Sequence, residues 1–307
     1  KDRIEETLRP AHDLLADEGL WRSLEDGLAV YLAPGFSRVF RVPLPLEETL
    51  VVGSRFYVLP LLPTLGNRGE FFLLALSLKS VRLFAADRFE VHEVDLPGMP
   101  KSLTEAVGSD FQQAGGGRAE EEKEEATQFC LRVDAGLRRI LQGAGNGTKP
   151  MVIAAAEPLA SIYTHVSHYP NVLPDRVTGN PEPLSGEELG ARARTIVEGA
   201  VARELESALE RCRELQGTGR ASSDTREIVL AAIDGRVDTL FVARRAQRWG
   251  TLDLATRRVE LLDQPGPSAD ELLNFSAGVT VRSGGAVHLV AREAMPEQAD
   301  TAAIFRY

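Results

Sequence analysis

The chain has 307 residues, of which 43% are hydrophobic and 26% are charged, and its formal net charge is −10. The length predicts two or three domains, and the composition excludes global disorder. The negative charge disfavours tight, sequence-independent binding of nucleic acid, and no apolar run approaches the length needed to span a bilayer. We therefore expect a soluble, cytoplasmic protein that binds neither membrane nor DNA, with native residues preceding Lys1.

Residues 1–65 are predicted to form an N-terminal α/β domain, incomplete at its start. Apolar side chains recur at spacings of three and four from Trp21 to Leu32, which predicts a helix with one apolar face. Short β-rich runs at Arg38–Val42 and Thr49–Val52 predict two strands.

Residues 66–208 are predicted to form a middle domain with a mixed sheet. Three β-rich runs separated by short polar segments predict an antiparallel meander: Phe71–Ser77, Val81–Ala85 and Phe89–Asp95. A long helix is predicted from about Glu121 to Gln142. The apolar run Met151–Ala156 then predicts a buried strand.

Residues 209–307 are predicted to form a separate α/β domain. Asp224 is a helix-capping residue, and Gly235 ends the helix that it starts. The remaining predicted elements are a strand, a hairpin, a helix and two strands: Val237–Val242, Gly250–Leu252 with Val259–Leu262, Asp270–Gly278, Val287–Ala291 and Ala302–Phe305.

Several of these segments, in this order, resemble the bacterial archaeo-eukaryotic release factor family, whose relatives include release factors and Pelota. The segments are Phe89–Leu96, Gly115-Gly116 before the long helix, Asn180-Pro181, Gly217-Thr218-Gly219-Arg220, the helix Asp224–Ile233, Gly235–Val242 and the closing Ala302–Tyr307. The resemblance is good over residues 66–307 and loose over residues 1–65. It implies a C-terminal three-layer α/β/α domain of the kink-turn-binding ribosomal protein type.

The same resemblance implies a ribosome-associated translation factor that acts in rescue, hibernation or surveillance. Its implied partners are the ribosome, ribosomal RNA or tRNA, and a GTPase or another protein. Two alternatives stay open at this point: a hydrolase that acts on peptidyl-tRNA or RNA, and a protein interaction module unrelated to the ribosome.

The chain departs from the family at the glycine loop. In release factors the loop carries Gly-Gly-Gln, whose glutamine orders water and substrate at the ester of peptidyl-tRNA. Here the matching functional loop consists of Gly115, Gly116, Gly117 and Arg118. Because glycine has no side chain to make that contact, we expect no catalytic residue and no peptide release by this mechanism. The loop either extends into a ribosomal site or is a linker without a role.

Other catalytic motifs are missing from the sequence. It has no phosphate-binding loop, no Gly-x-Ser-x-Gly elbow and no paired cysteines of a zinc ribbon. His165 and His168, followed by Asp175, are too few for a convincing metal site. Cys130 and Cys212 lie in predicted helices, where a small buried side chain is the simpler interpretation. We expect neither a metal nor a cofactor.

One stretch of the C-terminal domain is basic and predicts a contact to RNA or to a partner. It contains five arginines and one acid, Asp253, so its local charge is +4 (five minus one): Arg244, Arg245, Arg248, Arg257 and Arg258. Trp249 lies among them and can stack on a base. The alternative is a solvated hairpin in which Trp249 packs on the domain.

Overall fold

A computed structural model describes residues 2–42, 45–62, 69–107, 119–141, 149–266 and 269–307 of the chain. The chain divides into two compact units, one made of Lys1–Gly66 with Ala208–Tyr307 and the other of Asn67–Ser207. Both units combine helices with sheets, so the predicted α/β class with more than one domain is confirmed. The three-domain division and the kink-turn-binding type stay predictions. No helix of the described ranges is long and apolar enough to span a membrane.

In its described residues, the N-terminal segment of the first unit has two α-helices, a β-hairpin and a short 3-10 helix at Leu59–Leu61. The α-helices and strands are α1 (Asp2–Leu15), α2 (Glu18–Arg22), β1 (Gly27–Ala33) and β2 (Phe36–Val42). The strands pair antiparallel along their whole length. Pro34-Gly35 joins them, and Gly35 has a φ of 72°, a conformation that favours glycine in a tight turn.

The helix predicted from Trp21 to Leu32 is wrong beyond Arg22, where α2 ends, because residues 27–32 belong to strand β1. Leu28 and Leu32 are four residues apart, a spacing that puts both on one face of a helix and equally on one face of a strand. The pattern therefore fits both structures. The tight turn at Pro34-Gly35 allows the segment to pair with β2, which the sequence pattern of β1 alone does not reveal.

The strand predicted at Arg38–Val42 is confirmed within β2, whereas the one predicted at Thr49–Val52 is wrong. No described strand pairs with residues 49–52, and Leu50 is 90% exposed. A β-rich run without a neighbouring strand leaves its backbone groups to solvent, so its composition alone does not make it a strand.

The middle unit is built on a five-stranded sheet. Its elements are β3 (Phe71–Leu76), β4 (Val81–Ala86), β5 (Val91–Val94), α3 (Leu103–Val107), α4 (Ala119–Leu141), β6 (Met151–Ala155), α5 (Leu159–Val166), β7 (Val177–Thr178) and α6 (Gly186–Leu215). The strand order is β5-β4-β3-β6-β7. The pairs from β5 to β3 are antiparallel and those from β3 to β7 are parallel, which confirms the predicted meander and mixed sheet.

Helices cover both faces of this sheet. Phe72 and Leu74 of β3 belong to one apolar cluster with Phe129, Val133 and Leu137 of α4. The intervening residues of β3 belong to a second cluster with Leu189, Ala193 and Val197 of α6. The predicted long helix is therefore confirmed as α4, and the burial of these side chains fixes α4 on the sheet.

The C-terminal part of the first unit follows α6, within which the boundary between the units falls. Its elements are β8 (Ala221–Ser222), α7 (Thr225–Ile233), β9 (Val237–Ala243), β10 (Trp249–Asp253), β11 (Arg258–Leu262), β12 (Asp270–Glu271), α8 (Leu272–Arg282), β13 (Ala286–Val290) and β14 (Thr301–Phe305). The order of elements matches the prediction.

Two sheets form here, one with the order β13-β9-β14-β8 and one with the order β11-β10-β12. The side chain of Asp224 accepts hydrogen bonds from the backbone N–H groups of Arg226 and Glu227, so the predicted helix cap is confirmed. Helices α7 and α8 contact each other and β9. All five residues of β14 are buried, so both faces of the larger sheet are covered at that strand.

Candidate functional site

The predicted functional loop, Gly115, Gly116, Gly117 and Arg118, lies outside the described residues. The description resumes with α4, which begins at Ala119. Exposed glutamates occupy the start of this helix, and Phe129 further along is fully buried. The structure thus defines the helix that follows the loop, and the role of the loop stays a prediction.

The basic stretch of the C-terminal region lies in the β9–β10 connection and the β10–β11 hairpin. Four of its residues lie at one end of the hairpin and two at the other: Arg244, Arg245, Arg248 and Trp249, then Arg257 and Arg258. Trp249 lies opposite Leu262 in the ladder, and Arg258 lies opposite Asp253. The four steps along β10 separate the ends by about 14 Å at about 3.4 Å per residue. The six predicted residues therefore form two groups rather than one patch.

Four of the five arginines form ion pairs with carboxylates of the same unit. The pairs are Arg245 with Glu47, Arg248 with Asp300, Arg257 with Asp234 and Arg258 with Glu260. The guanidinium of Arg257 is bidentate to Asp234, at 2.9 and 2.7 Å, and these hydrogen bonds hold the pKa of Asp234 below its ordinary value. The positive charge found in the sequence is thus largely balanced within the unit.

Arg244 differs from the other four arginines. It is exposed, and among the described residues no carboxylate forms an ion pair with it. Its backbone N–H donates to the carbonyl oxygen of Val290, which fixes its position at the end of β9. Arg244 is therefore available to an external anion. Its contact with RNA or a partner stays a prediction.

Trp249 is half-buried at the base of the hairpin. It lines a small depression together with Arg55, Tyr57 and Asn274. In the ladder it lies opposite Glu271 of β12. This position agrees with the alternative interpretation, in which Trp249 anchors the hairpin to the unit.

Asn274 of α8 makes a contact that the sequence does not reveal. Its buried side-chain amide accepts hydrogen bonds from the backbone N–H groups of Val58 at 2.7 Å and Leu59 at 3.0 Å. It also donates to the carbonyl oxygen of Phe56 at 2.9 Å. We call this contact the Asn274 clasp. It holds residues 56–59 on α8 within the first unit.

Glu271, next to the clasp, caps α8 with a buried carboxylate. Its oxygens accept hydrogen bonds from the backbone N–H groups of Arg248 at 2.7 Å and Asn274 at 2.6 Å. Burial nevertheless raises the pKa of Glu271 above its ordinary value. Burial, together with the charge of Glu271, raises the pKa of Tyr57 to about 12. A polar residue directly before an apolar helix is a local sequence signal for this cap, whereas no local pattern points to the clasp.

His168 and Asp175 have separate partners. The Nδ1 atom of His168 lies 3.0 Å from a carboxylate oxygen of Asp134, a buried residue of α4, whereas Asp175 pairs with Arg203 at 2.5 Å. His165 is an exposed residue of α5. Within the described ranges no three His, Cys, Asp or Glu side chains are grouped as metal ligands.

Both cysteines are buried, as the sequence predicted. Burial raises the pKa of the Cys130 thiol to about 12 and that of Cys212 to about 11. Both thiols are therefore protonated near neutral pH, and protonated thiols are poor nucleophiles.

Comparison with known proteins gives a family match. The sequence profile of bacterial archaeo-eukaryotic release factor family 3 matches residues 70–236, which is more than half of the chain. The matched range covers nearly all of the middle unit and continues through α7 to the residue before β9. No curated protein sequence matches the chain.

Solved structures from archaea and yeast are among those that match the chain. A ribosome-bound archaeal Pelota, from a structure with ABCE1, is 16% identical with a TM-score of 0.46, and the match covers 78% of this chain and 62% of that one. Dom34 of S. cerevisiae, a translation termination-like factor that interacts with Hbs1, is 11% identical with a TM-score of 0.48, over 82% of this chain and 69% of that one. The archaeal termination factor aRF1 is 14% identical with a TM-score of 0.29, over 100% and 82% of the two chains.

Proposed function

Because the chain belongs to bacterial archaeo-eukaryotic release factor family 3, we propose that it is a release-factor-like translation factor that binds the ribosome in the cytoplasm. Rescue, hibernation and surveillance of ribosomes are the processes in which we propose that it acts. The family match over residues 70–236 carries the proposal. The fold by itself does not, because one fold can host many functions.

We propose that the protein does not catalyse peptide release. The loop reads Gly115-Gly116-Gly117-Arg118, so the position of the family's glutamine holds a glycine. A glycine cannot orient the water that attacks an ester. The loop then acts by contact, extending toward the peptidyl-transferase side of the ribosome.

The second proposed contact lies in the C-terminal region, around Arg244 and Trp249. Arg244 is exposed and has no carboxylate partner among the described residues, so it can neutralise a phosphate of ribosomal RNA or tRNA. A GTPase or another protein is the further partner that we propose for this region.

Co-sedimentation with 70S ribosomes through a sucrose cushion at moderate salt tests the ribosome contact. We expect the wild-type protein to pellet with ribosomes and Arg244→Ala to pellet less. Arg220→Ala is the matched control, since Arg220 is also exposed and also without an ion pair in the described ranges. If the wild-type protein stays in the supernatant, the proposal is contradicted and an interaction module unrelated to the ribosome is favoured.

A peptidyl-tRNA hydrolysis assay on ribosomes tests the absence of catalysis. We expect no release by the wild-type protein or by a variant without residues 115–118. Gly117→Gln restores the family's Gly-Gly-Gln and shows whether the glutamine is the missing part. Release by the wild type that disappears with the loop establishes the hydrolase instead.

A further inference from the structure

Four aromatic rings form a continuous cluster on the N-terminal hairpin and the segment that follows it. Phe36 packs on Phe56 with ring centroids 5.2 Å apart, Phe56 on Tyr31 at 5.3 Å, and Tyr31 on Phe40 at 5.8 Å. We call Tyr31, Phe36, Phe40 and Phe56 the aromatic face. It lies before residue 70 and therefore outside the range that matches the family.

The register of the hairpin explains why three of these rings share one face. Residues 36, 38 and 40 of β2 point to the same side, and Arg38 lies opposite Tyr31 in the ladder. Phe36 lies opposite Ala33, and Phe40 lies opposite Ala29. Because alanine carries only a methyl group, neither phenylalanine is covered by its cross-strand neighbour.

The cluster is anchored on one side and open on the other. The hydroxyl of Tyr31 donates a hydrogen bond of 2.9 Å to the carbonyl oxygen of Tyr57, and the Asn274 clasp holds the neighbouring residues 56–59. Phe36, Phe40 and Phe56 nevertheless remain 40%, 46% and 40% exposed. A fixed group of exposed aromatic rings is typical of a binding surface rather than of a core.

The charge around the aromatic face favours an anionic ligand with flat groups. From Gly27 to Leu46 the sequence has two arginines and no acidic residue, in a chain whose net charge is −10. The guanidinium of Arg38 lies 5.5 Å from the centroid of Phe36, on the side of β2 that carries the aromatic face, whereas Arg41 points to the other side of the strand. An apolar protein partner would gain from the rings but not from Arg38.

We propose that the aromatic face binds single-stranded RNA. Exposed bases stack on Phe36, Phe40 and Phe56, while Arg38, on the same side of β2, contacts a phosphate. Sheet surfaces that combine aromatic rings with arginines bind unpaired bases in this way, because every base has a flat face to stack. This inference adds a ligand to the proposed function. It rests on the proposed function only in taking the ribosome as the source of the RNA.

Fluorescence anisotropy with the full chain and a labelled, unstructured RNA of about 12 nucleotides tests the proposal. We expect the double substitution Phe36→Leu and Phe40→Leu to weaken binding about tenfold or more, because leucine keeps the apolar volume and removes the stacking plane. Phe89→Leu is the matched control, since Phe89 is 49% exposed in the other unit. It keeps the wild-type affinity.

The salt dependence of binding separates the rings from Arg38. Arg38→Gln lowers the slope of log K against log salt by about 0.7, the value for one phosphate contact on a single strand. The double phenylalanine variant keeps the wild-type slope. Far-UV circular dichroism checks that each variant is folded, and the arginine variant tests the surface even where the double variant does not fold.

Four outcomes overturn the proposal. The wild type does not bind the RNA, it binds the matching duplex more tightly, or the double variant and Phe89→Leu lose RNA affinity equally. The fourth outcome is self-association in sedimentation velocity that the double variant abolishes while RNA binding persists. The last result identifies a second copy of the chain as the occupant. If the protein binds the RNA but does not pellet with ribosomes, only the proposed function is contradicted. If it pellets with ribosomes but does not bind the RNA, only this inference is contradicted.

Discussion

Strands β2 and β3 each contain two phenylalanines, but they use them differently. Phe71 and Phe72 of β3 are 1% and 3% exposed, whereas Phe36 and Phe40 of β2 are 40% and 46% exposed. Strand β3 lies between two other strands and has helices on both faces, whereas β2 pairs with β1 alone among the strands that the structure describes. The same side chain therefore stabilises the fold in one strand and is available to a ligand in the other. The number of surrounding layers makes the difference.

The largest effect that this comparison predicts is in β3. Leu74 is fully buried, so Leu74→Ala removes apolar contacts and leaves a cavity. We expect the free energy of unfolding of the middle unit to fall by about 2–5 kcal/mol. Urea titration followed by circular dichroism measures the loss. A loss below about 1 kcal/mol contradicts the account of β3 as a core strand.

The second effect concerns the Asn274 clasp, which connects residues 56–59 to α8. Asn274→Ala removes three hydrogen bonds and leaves the backbone N–H groups of Val58 and Leu59 without their acceptor. We expect a loss of about 1–3 kcal/mol in the free energy of unfolding of the first unit. Hydrogen exchange at the amides of Val58 and Leu59 also becomes faster. Asn180→Ala, at an exposed asparagine, is the control and leaves both amides protected.

A third effect follows from Glu271 in the same unit. Burial raises its pKa in the folded state above the ordinary 4.5, so the folded state binds the proton more tightly than the unfolded chain does. The stability from this proton is fully present below pH 4.5 and is lost as the pH rises through the folded pKa.

Glu271→Gln removes the titrating group, so the stability of the wild type relative to this variant falls as the pH rises above 4.5. Urea unfolding at several pH values measures this difference, and Glu210→Gln, at an exposed glutamate of the same unit, corrects for general effects of pH. If the stability of the wild type instead rises relative to the variant as the pH increases, burial is not the dominant cause of the shift in the pKa of Glu271.

The smallest effect returns to β2. Phe40→Leu replaces a ring that is nearly half exposed, so little apolar area leaves a buried environment. We expect the free energy of unfolding to change by less than about 1 kcal/mol, which covers the edge-to-face contact with Tyr31. Thermal unfolding of Phe40→Leu and Leu74→Ala under the same conditions compares the two losses of stability. A loss as large as that of the core variant means that the aromatic face is part of a core after all.

The sequence by itself determined the family and most of the elements of the middle and C-terminal regions. The order of weak motifs led to the release factor resemblance, which the family profile over residues 70–236 confirms. The β-rich run Phe71–Ser77 predicted β3. The continuous apolar run Met151–Ala156 predicted β6, since a strand covered on both faces needs no polar side. The cap at Asp224 predicted the start of α7, because that signal is local.

Only the tertiary structure decided the rest. The spacing of Leu28 and Leu32 fits a helix and a strand alike, and pairing with β2 selected the strand. The ion pairs that balance the basic stretch bring together residues as far apart in the sequence as Glu47 and Arg245, and the Asn274 clasp joins α8 to residues 56–59. Charge balance and exposure depend on which distant segments meet in space, and a local pattern of residues contains no information about that.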